Sequence, residues 1–96
     1  MTSVDYWDHR IQINPEEADS VHVWMDEPDA NVTGGGYEIL ECRYGNDCLT
    51  ELFISGSQPL VQDTDSMRPV GWRVSMVNIG IDPIDMLIRV YVVYSH

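Results

Sequence analysis

The chain contains no lysine, and five arginines are its only permanently basic residues, against 16 acidic residues. The formal net charge is −11 over 96 residues, and residues 1–51 hold 12 of the acids and 2 of the arginines. Nothing offsets the repulsion between such a chain and a phosphate backbone, so we expect no direct binding of nucleic acid. A surface this acidic suits solubility, a basic protein partner or a bound cation.

Cysteine is also scarce. Cys42 and Cys48 flank a segment of turn residues, so they could close a small disulfide or remain two thiols. The N-terminal stretch lacks the apolar run of a signal peptide, and we therefore favour reduced thiols. Two thiols without further ligands are too few for a metal site. No apolar run approaches the roughly 20 residues of a membrane-spanning helix, so we expect no membrane partner.

Helical periodicity is missing as well. No segment repeats apolar residues at helical spacing over three turns, whereas short apolar segments alternate with Gly, Pro and Asn/Asp turns. This pattern predicts an all-β fold, a small antiparallel β-sandwich that is jelly-roll-like and has no substantial helix. We expect an irregular N-terminal arm over residues 1–8 and a single β-sandwich domain over residues 9–96.

The most apolar stretch, residues 71–95, is the predicted core. Large apolar residues alternate over 72–77, and turn residues follow at 80–83. One face of residues 84–94 is apolar, and the other is largely apolar. The pattern predicts a β-hairpin whose second strand is central in the fold. A second hairpin is predicted from residues 37–42 and 49–55, with a break after residue 55.

Three consecutive glycines, residues 34–36, precede the first strand of that second hairpin. The chain lacks the Lys-Ser/Thr of a P-loop and the GxGxxG spacing of a dinucleotide fold. The glycines therefore predict a bulge, a tight bend or the close approach of a neighbouring side chain.

Catalytic and metal-binding motifs are absent. The chain has no GxSxG elbow and no HExxH pair, and His9, His22 and His96 are scattered. Asp63 and Asp65, and the acids of residues 26–29, could offer oxygen ligands to a cation but lack the rest of a calcium loop. We expect no enzyme activity and assign no catalytic, cofactor-binding or metal-binding residues.

A family resemblance rests on four short motifs that span residues 21–95. They are Gly34-Gly35-Gly36-Tyr37, Ser57-Gln58-Pro59-Leu60, Gly71-Trp72 with Val74 and Asn78, and Val90-Tyr91-Val92-Val93. This pattern resembles a small β-sandwich module of bacteriophage virion appendages and exported bacterial proteins. The cysteines usual in such modules are missing, because Trp24-Met25 and Tyr94 occupy those regions. The missing disulfide favours assembly in a reducing host cytoplasm.

The resemblance and the composition together predict a non-enzymatic structural protein of a bacteriophage particle. It would be a capsid decoration (cement) protein or a small tail or fibre component, located in the virion, that adheres to a capsid or tail subunit. We also expect a homo-oligomer. Interfaces favour aromatic residues, and the interface candidates are Tyr6, Trp7, Trp24, Tyr91 and Tyr94.

Two other functions fit the same sequence. The net charge suits an acidic inhibitor that mimics nucleic acid and blocks a basic host protein, as an anti-defence protein would, with affinity that falls steeply with salt. Alternatively, a carbohydrate- or receptor-binding module would use Trp7, Trp24, Tyr37 or Tyr44 as stacking platforms.

Overall fold

The computed structural model describes residues 2–25, 29–43, 51–61 and 69–95. These residues form six β-strands and no helix, which confirms the predicted all-β class. The strands are β1 (Thr2–Ile13), β2 (Ala18–Trp24), β3 (Asn31–Arg43), β4 (Leu52–Val61), β5 (Pro69–Asn78) and β6 (Ile84–Ser95).

The strands form two antiparallel sheets that pack face to face. The first sheet has the order β1-β6-β3, and the second has the order β2-β5-β4. The chain changes sheet at every connection except the one from β4 to β5. This winding is jelly-roll-like with six strands in place of eight, and the sandwich prediction is confirmed.

The core lies between the two central strands. Alternate residues of β6, from Ile84 to Tyr94, are buried along its whole length, and they face the buried side chains Val74 and Met76 of β5. Each fully buried aliphatic side chain contributes roughly 1.5–3 kcal/mol. The prediction that β6 is a central strand is confirmed, because β1 and β3 pair with its two edges. Its outward face is mixed, since Asp85 and Arg89 lie there in ion pairs.

Both predicted hairpins are wrong in their pairing. β5 and β6 lie in opposite sheets, and residues 79–83 arch between the layers. Because β5 and β6 lie in opposite sheets, the apolar face of β5 packs against the apolar face of β6. In a hairpin the two apolar faces would lie side by side in one sheet and would not cover each other. β3 and β4 are likewise in different sheets, and β4 continues past residue 55 through a bulge between Ile54 and Gly56. The turn predicted at residues 44–47 lies outside the described residues.

The predicted irregular arm is also wrong. Residues 2–8 are the first half of β1 and pair with β6 in continuous register, from Thr2 opposite Ser95 to Asp8 opposite Arg89. Asp5 and Asp8 are both exposed, so this segment satisfies its backbone hydrogen bonds against β6 and keeps its charges in solvent.

Asn78 joins three parts of the fold. Its side chain is fully buried, and Nδ2 donates to the carbonyl oxygens of Ile13 (2.9 Å) and Asp82 (2.8 Å). Its Oδ1 accepts a hydrogen bond from the backbone N–H of Gly80 at 2.9 Å. A buried amide needs such partners, and here they fix the end of β1 to the arch between β5 and β6.

The glycine run has the structural role predicted from the sequence. A bulge lies between Val32 and Gly34, and the ring of Trp72 from the second sheet packs directly on Gly35. The indole Nε1 of Trp72 donates to Ser57 Oγ at 2.9 Å, so this contact also reaches β4. Several residues that carry the family resemblance are therefore packing partners of one another.

The preference for reduced thiols is wrong. Cys42 on β3 is disulfide-bonded, and the only other cysteine of the chain, Cys48, lies outside the described residues. The spacing of the two cysteines allows both states, and the low apolar content of the N-terminal stretch does not bear on whether their geometry permits a bond.

Candidate interaction surface

Three of the predicted interface residues lie close together at one edge of the sandwich. Tyr6, Trp7 and Trp24 are 57%, 62% and 45% exposed, and Val4 beside them is 56% exposed. We call these four residues the aromatic surface. They line a cleft of about 290 Å³ together with Asp5 and Val23. Adjacent large apolar side chains that remain in solvent are typical of a binding surface.

The alternation of β1 determines which way each of these side chains points. Tyr6 lies opposite Tyr91, on the outer face of the first sheet. Trp7 lies opposite the buried Val90, and therefore points toward the side on which the second sheet packs. Trp7 nevertheless remains exposed, because the second sheet leaves this part of β1 uncovered.

An arginine fixes the position of Tyr6. The guanidinium of Arg89 lies 4.2 Å from the centre of the Tyr6 ring and donates two hydrogen bonds to Asp8, at 2.8 and 3.2 Å. The hydrogen bond from Arg89 lowers the pKa of the Asp8 carboxyl, and the same bond raises the pKa of Arg89. The Arg89 guanidinium therefore covers one face of the Tyr6 ring and holds the ring in place on β1.

The outer face of the first sheet carries a second group of opposite charges. Arg10 Nη2 donates to Glu41 at 3.2 Å, and Arg10 Nη1 lies 3.7 Å from Asp85. The acids of this face therefore alternate with arginines. Asp5, on the opposite face of β1, differs, because its carboxylate has neither an ion pair nor a hydrogen bond within the part of the chain that the structure describes.

Histidines connect the edges of the two sheets beside the aromatic surface. His9 Nε2 donates to the backbone carbonyl of His22 at 3.1 Å, and the His22 ring meets Trp24 edge to face with ring centres 5.5 Å apart. His22 is exposed.

The other two predicted interface residues behave differently. Tyr91 is half-buried beside Tyr6, and its hydroxyl lies over Gly36. The prediction for Tyr94 is wrong: this side chain is only 6% exposed and belongs to the core. Position decides the difference, because even-numbered residues of β6 face the second sheet and odd-numbered ones face outward.

Sequence reasoning missed several exposed apolar side chains. Val4 belongs to the aromatic surface, and its alternation with Tyr6 in the first residues of β1 was the available signal. Ile79 and Ile81 protrude from the arch on either side of Gly80, and Phe53 protrudes from β4. An apolar residue within a turn is the signal that could have identified the two isoleucines.

The described residues contain no group of three or more His, Cys, Asp or Glu side chains that could hold a metal ion. The acids at positions 26, 27, 63 and 65, together with His96 and Tyr44, lie outside the described residues. Within the described ranges no helix is long and apolar enough to cross a membrane.

Comparison of the chain with protein-family models, with curated proteins and with solved structures found no match. The aromatic surface and the charge of the chain are therefore the features that bear on function.

Proposed function

We propose that the protein is a non-enzymatic structural component of a bacteriophage particle, either a capsid decoration protein or a small tail or fibre component. It attaches to a capsid or tail subunit through the aromatic surface. The observation that carries this proposal is the grouping of Tyr6, Trp7 and Trp24 around one cleft while all three stay exposed. Tyrosine and tryptophan are the residues that most often dominate binding energy at protein interfaces.

The arrangement suits attachment because it is rigid before binding. Tyr6 and Trp7 lie on a strand paired with β6 over its whole length, and Arg89 supports the Tyr6 ring. Ordering flexible side chains costs about 0.5–1.5 kcal/mol each on association, and a preformed surface avoids much of this cost. Burying each large apolar side chain against a partner adds roughly 1.5–3 kcal/mol.

The disulfide at Cys42 changes the argument for location without changing the proposed location. Disulfides persist at virion surfaces and in other oxidising environments and are rare in the cytosol. A stable bond at Cys42 therefore supports a protein that functions on a released particle, and assembly in a reducing compartment no longer supports it.

A carbohydrate-binding function is the second candidate, and the cleft favours it specifically. Trp7 and Trp24 line the cleft with Asp5, whose carboxylate has no partner among the described residues, so stacking surfaces stand next to a hydrogen-bond acceptor. A glycan array probed with the wild-type chain and with Trp24→Ala tests this function. Binding that depends on Trp24 would support it, and an array without any signal would eliminate it.

Nucleic-acid mimicry receives less support from the described surface. A mimic needs a row of unpaired negative charges, whereas Asp8, Glu41 and Asp85 alternate with Arg89 and Arg10.

The test of the leading proposal is the protein content of purified particles made by the genome that encodes this chain. We expect quantitative mass spectrometry to find the chain in fixed stoichiometry to the major capsid or tail subunit. Its presence only in the host lysate, with none in particles banded on a density gradient, would refute the virion function.

A further inference from the structure

β1 is an edge strand with an open side. It pairs with β6 on one side, and no described strand pairs with the other. Natural sheets protect their edges with short strands, prolines, bulges or lysines, because an open edge is a template for another strand. The four edge strands of this sandwich can therefore be compared for these devices.

Three of the edge strands carry such protection. β2 has only seven residues, and β3 contains bulges between Val32 and Gly34 and between Ile39 and Glu41. β4 contains Pro59 and two register shifts. Each device interrupts or shortens the row of backbone groups that a further strand would need.

β1 has none of these four devices, and its one inward-pointing carboxylate, Asp5, is a charge that a basic strand would neutralise. It has 12 residues in unbroken register with β6, and it contains neither proline nor lysine. At His9 the edge of β1 is in contact with β2, where the His9 ring donates to the His22 carbonyl, and β2 ends at Trp24 beside the cleft. The open part is therefore residues 2–8, and three of the four residues of the aromatic surface belong to it.

Charge determines which strand fits this edge. The chain carries −11 overall with no lysine, and Asp5 in the open part has no ionic partner among the described residues. A second copy of the chain on this edge would bring acidic strands together, which is unfavourable. A basic strand would instead be attracted to the edge and held in register.

We propose that residues 2–8 of β1 bind an extended basic segment of the partner protein, which adds to the first sheet as a fourth strand. Backbone hydrogen bonds to the open edge give affinity, and alternate side chains give specificity. This inference rests on the proposed function in one respect, which is that the segment belongs to a capsid or tail subunit.

Both faces of β1 offer contacts to such a strand. Val4 and Tyr6 on the outer face would contact one set of alternate side chains. Asp5 and Trp7 on the other face would contact the remaining side chains of the added strand. A lysine or arginine of that strand would there lie against the Asp5 carboxylate and the Trp7 indole. A cation near an indole contributes about 0.5–2 kcal/mol, and this pairing favours a basic side chain over a neutral one.

The probe is a synthetic peptide with the alternating sequence Lys-Val-Lys-Thr-Lys-Val-Lys and blocked ends. Its control is the same peptide N-methylated at alternate residues, which keeps the charge and removes the backbone donors on one edge. Hydrogen exchange of the ¹⁵N-labelled chain is followed by NMR with and without each peptide. We expect exchange of the outward-pointing amides of residues 2–8 to slow by at least about tenfold with the first peptide only.

A pair of charge-reversal variants provides the matched control. Asp5→Lys on β1 should weaken peptide binding by at least about tenfold, whereas Asp19→Lys, an equal change on the edge strand β2, should have less than about a threefold effect. Both side chains are exposed, so both variants should fold.

Three results would overturn the inference. Equal binding of the N-methylated peptide would mean that charge alone attracts the probe. Protection of residues 2–8 that grows with protein concentration without peptide would mean that a second copy covers the edge. No protection of these residues by the unmodified peptide would mean that the edge accepts no strand. Because no particle is involved, each result is independent of whether the chain is found in virions.

Discussion

Gly34 and Gly35 are adjacent in the sequence and differ in their surroundings. A Cβ on Gly35 would overlap the ring of Trp72, whereas a Cβ on Gly34 would have no atom within 4 Å. We expect Gly35→Ala to lower the free energy of unfolding by about 1–3 kcal/mol, as overpacking does.

Gly34→Ala is the matched control for this prediction. It should be neutral or should stabilise the fold by up to about 1 kcal/mol, because alanine loses less backbone entropy than glycine in a strand. Urea denaturation of both variants measures the difference. Equal effects of the two substitutions would contradict the packing of Trp72 on Gly35.

The ion pair beside Tyr6 predicts a pH effect with a definite sign. The hydrogen bond from Arg89 lowers the pKa of Asp8 below its ordinary value of 3.8. The pair therefore contributes to stability above pH 3.8 and loses this contribution as the pH falls through the lowered pKa of the folded state.

In the variant Arg89→Met we expect the pKa of Asp8 to rise toward its ordinary value, because the hydrogen bond is lost. An NMR titration of the Asp8 carboxyl carbon in wild type and variant checks this, with Arg73→Met as the control. A pKa of Asp8 that is the same in all three proteins would show that Arg89 does not hold the carboxylate.

At the scale of single residues, alternation in the sequence indicated most side-chain positions. Val21 and Val23 alternate with His22 and Trp24 in the sequence, and the structure buries the first pair and exposes the second. Tyr94 was misassigned because an aromatic residue in an apolar strand fits a core or an interface equally well. Only the packing of the second sheet distinguishes Tyr94 from Tyr91.

At the scale of elements, the sequence predicted the strands better than their pairing. Alternation is a local property, and it revealed β5 and β6 within a few residues of their ends. Pairing depends on contacts between strands that are distant in the chain, such as β1 and β6. A local sequence pattern contains no information about the energy of these contacts. A short connection between two apolar strands suits a hairpin, but here it arches between layers because each strand must bury one face.

Asn78 holds the arch between β5 and β6 in place. We therefore expect its substitution to destabilise the fold strongly. Asn78→Ala leaves the carbonyl oxygens of Ile13 and Asp82 and the N–H of Gly80 without their partner. We expect a loss of about 2–4 kcal/mol in the free energy of unfolding, since buried polar groups without partners cost about 1–3 kcal/mol each and relaxation recovers part of this.

Asn14→Ala is the control for Asn78→Ala. Asn14 is exposed and donates one hydrogen bond to Glu17 at 2.8 Å. Its loss should change the free energy of unfolding by less than about 1 kcal/mol in the same urea titration. A similar effect of both substitutions would mean that Asn78 does not organise the arch.

At the scale of the whole molecule, self-association stays a prediction of the sequence. Light scattering of the purified chain at about 50 mM and about 500 mM salt should give the mass of a dimer or trimer at both, because apolar contacts are not screened by salt. The acidic N-terminal half makes β1 an unfavourable place for this contact. A monomer at both salt concentrations would contradict the prediction.

The aromatic surface is the part of the site that the sequence partly predicted, since Tyr6, Trp7 and Trp24 were named without knowledge of their proximity. Residues 2–8 and 24 are far apart in the chain, and the pairing of β1 with β6 and of β2 with β5 brings them to one edge. The open edge of β1 was not predictable, because it depends on which strands lack neighbours.

The measurement that tests the central claim most directly is the rebinding of the purified chain to particles produced without it. Wild type and Trp7→Ala are compared with Phe53→Ala, which removes a similarly exposed aromatic side chain from the other sheet. The aromatic surface predicts that wild type and Phe53→Ala rebind equally, while Trp7→Ala binds at least about tenfold more weakly. Rebinding of Trp7→Ala with the affinity of wild type would contradict attachment through this surface.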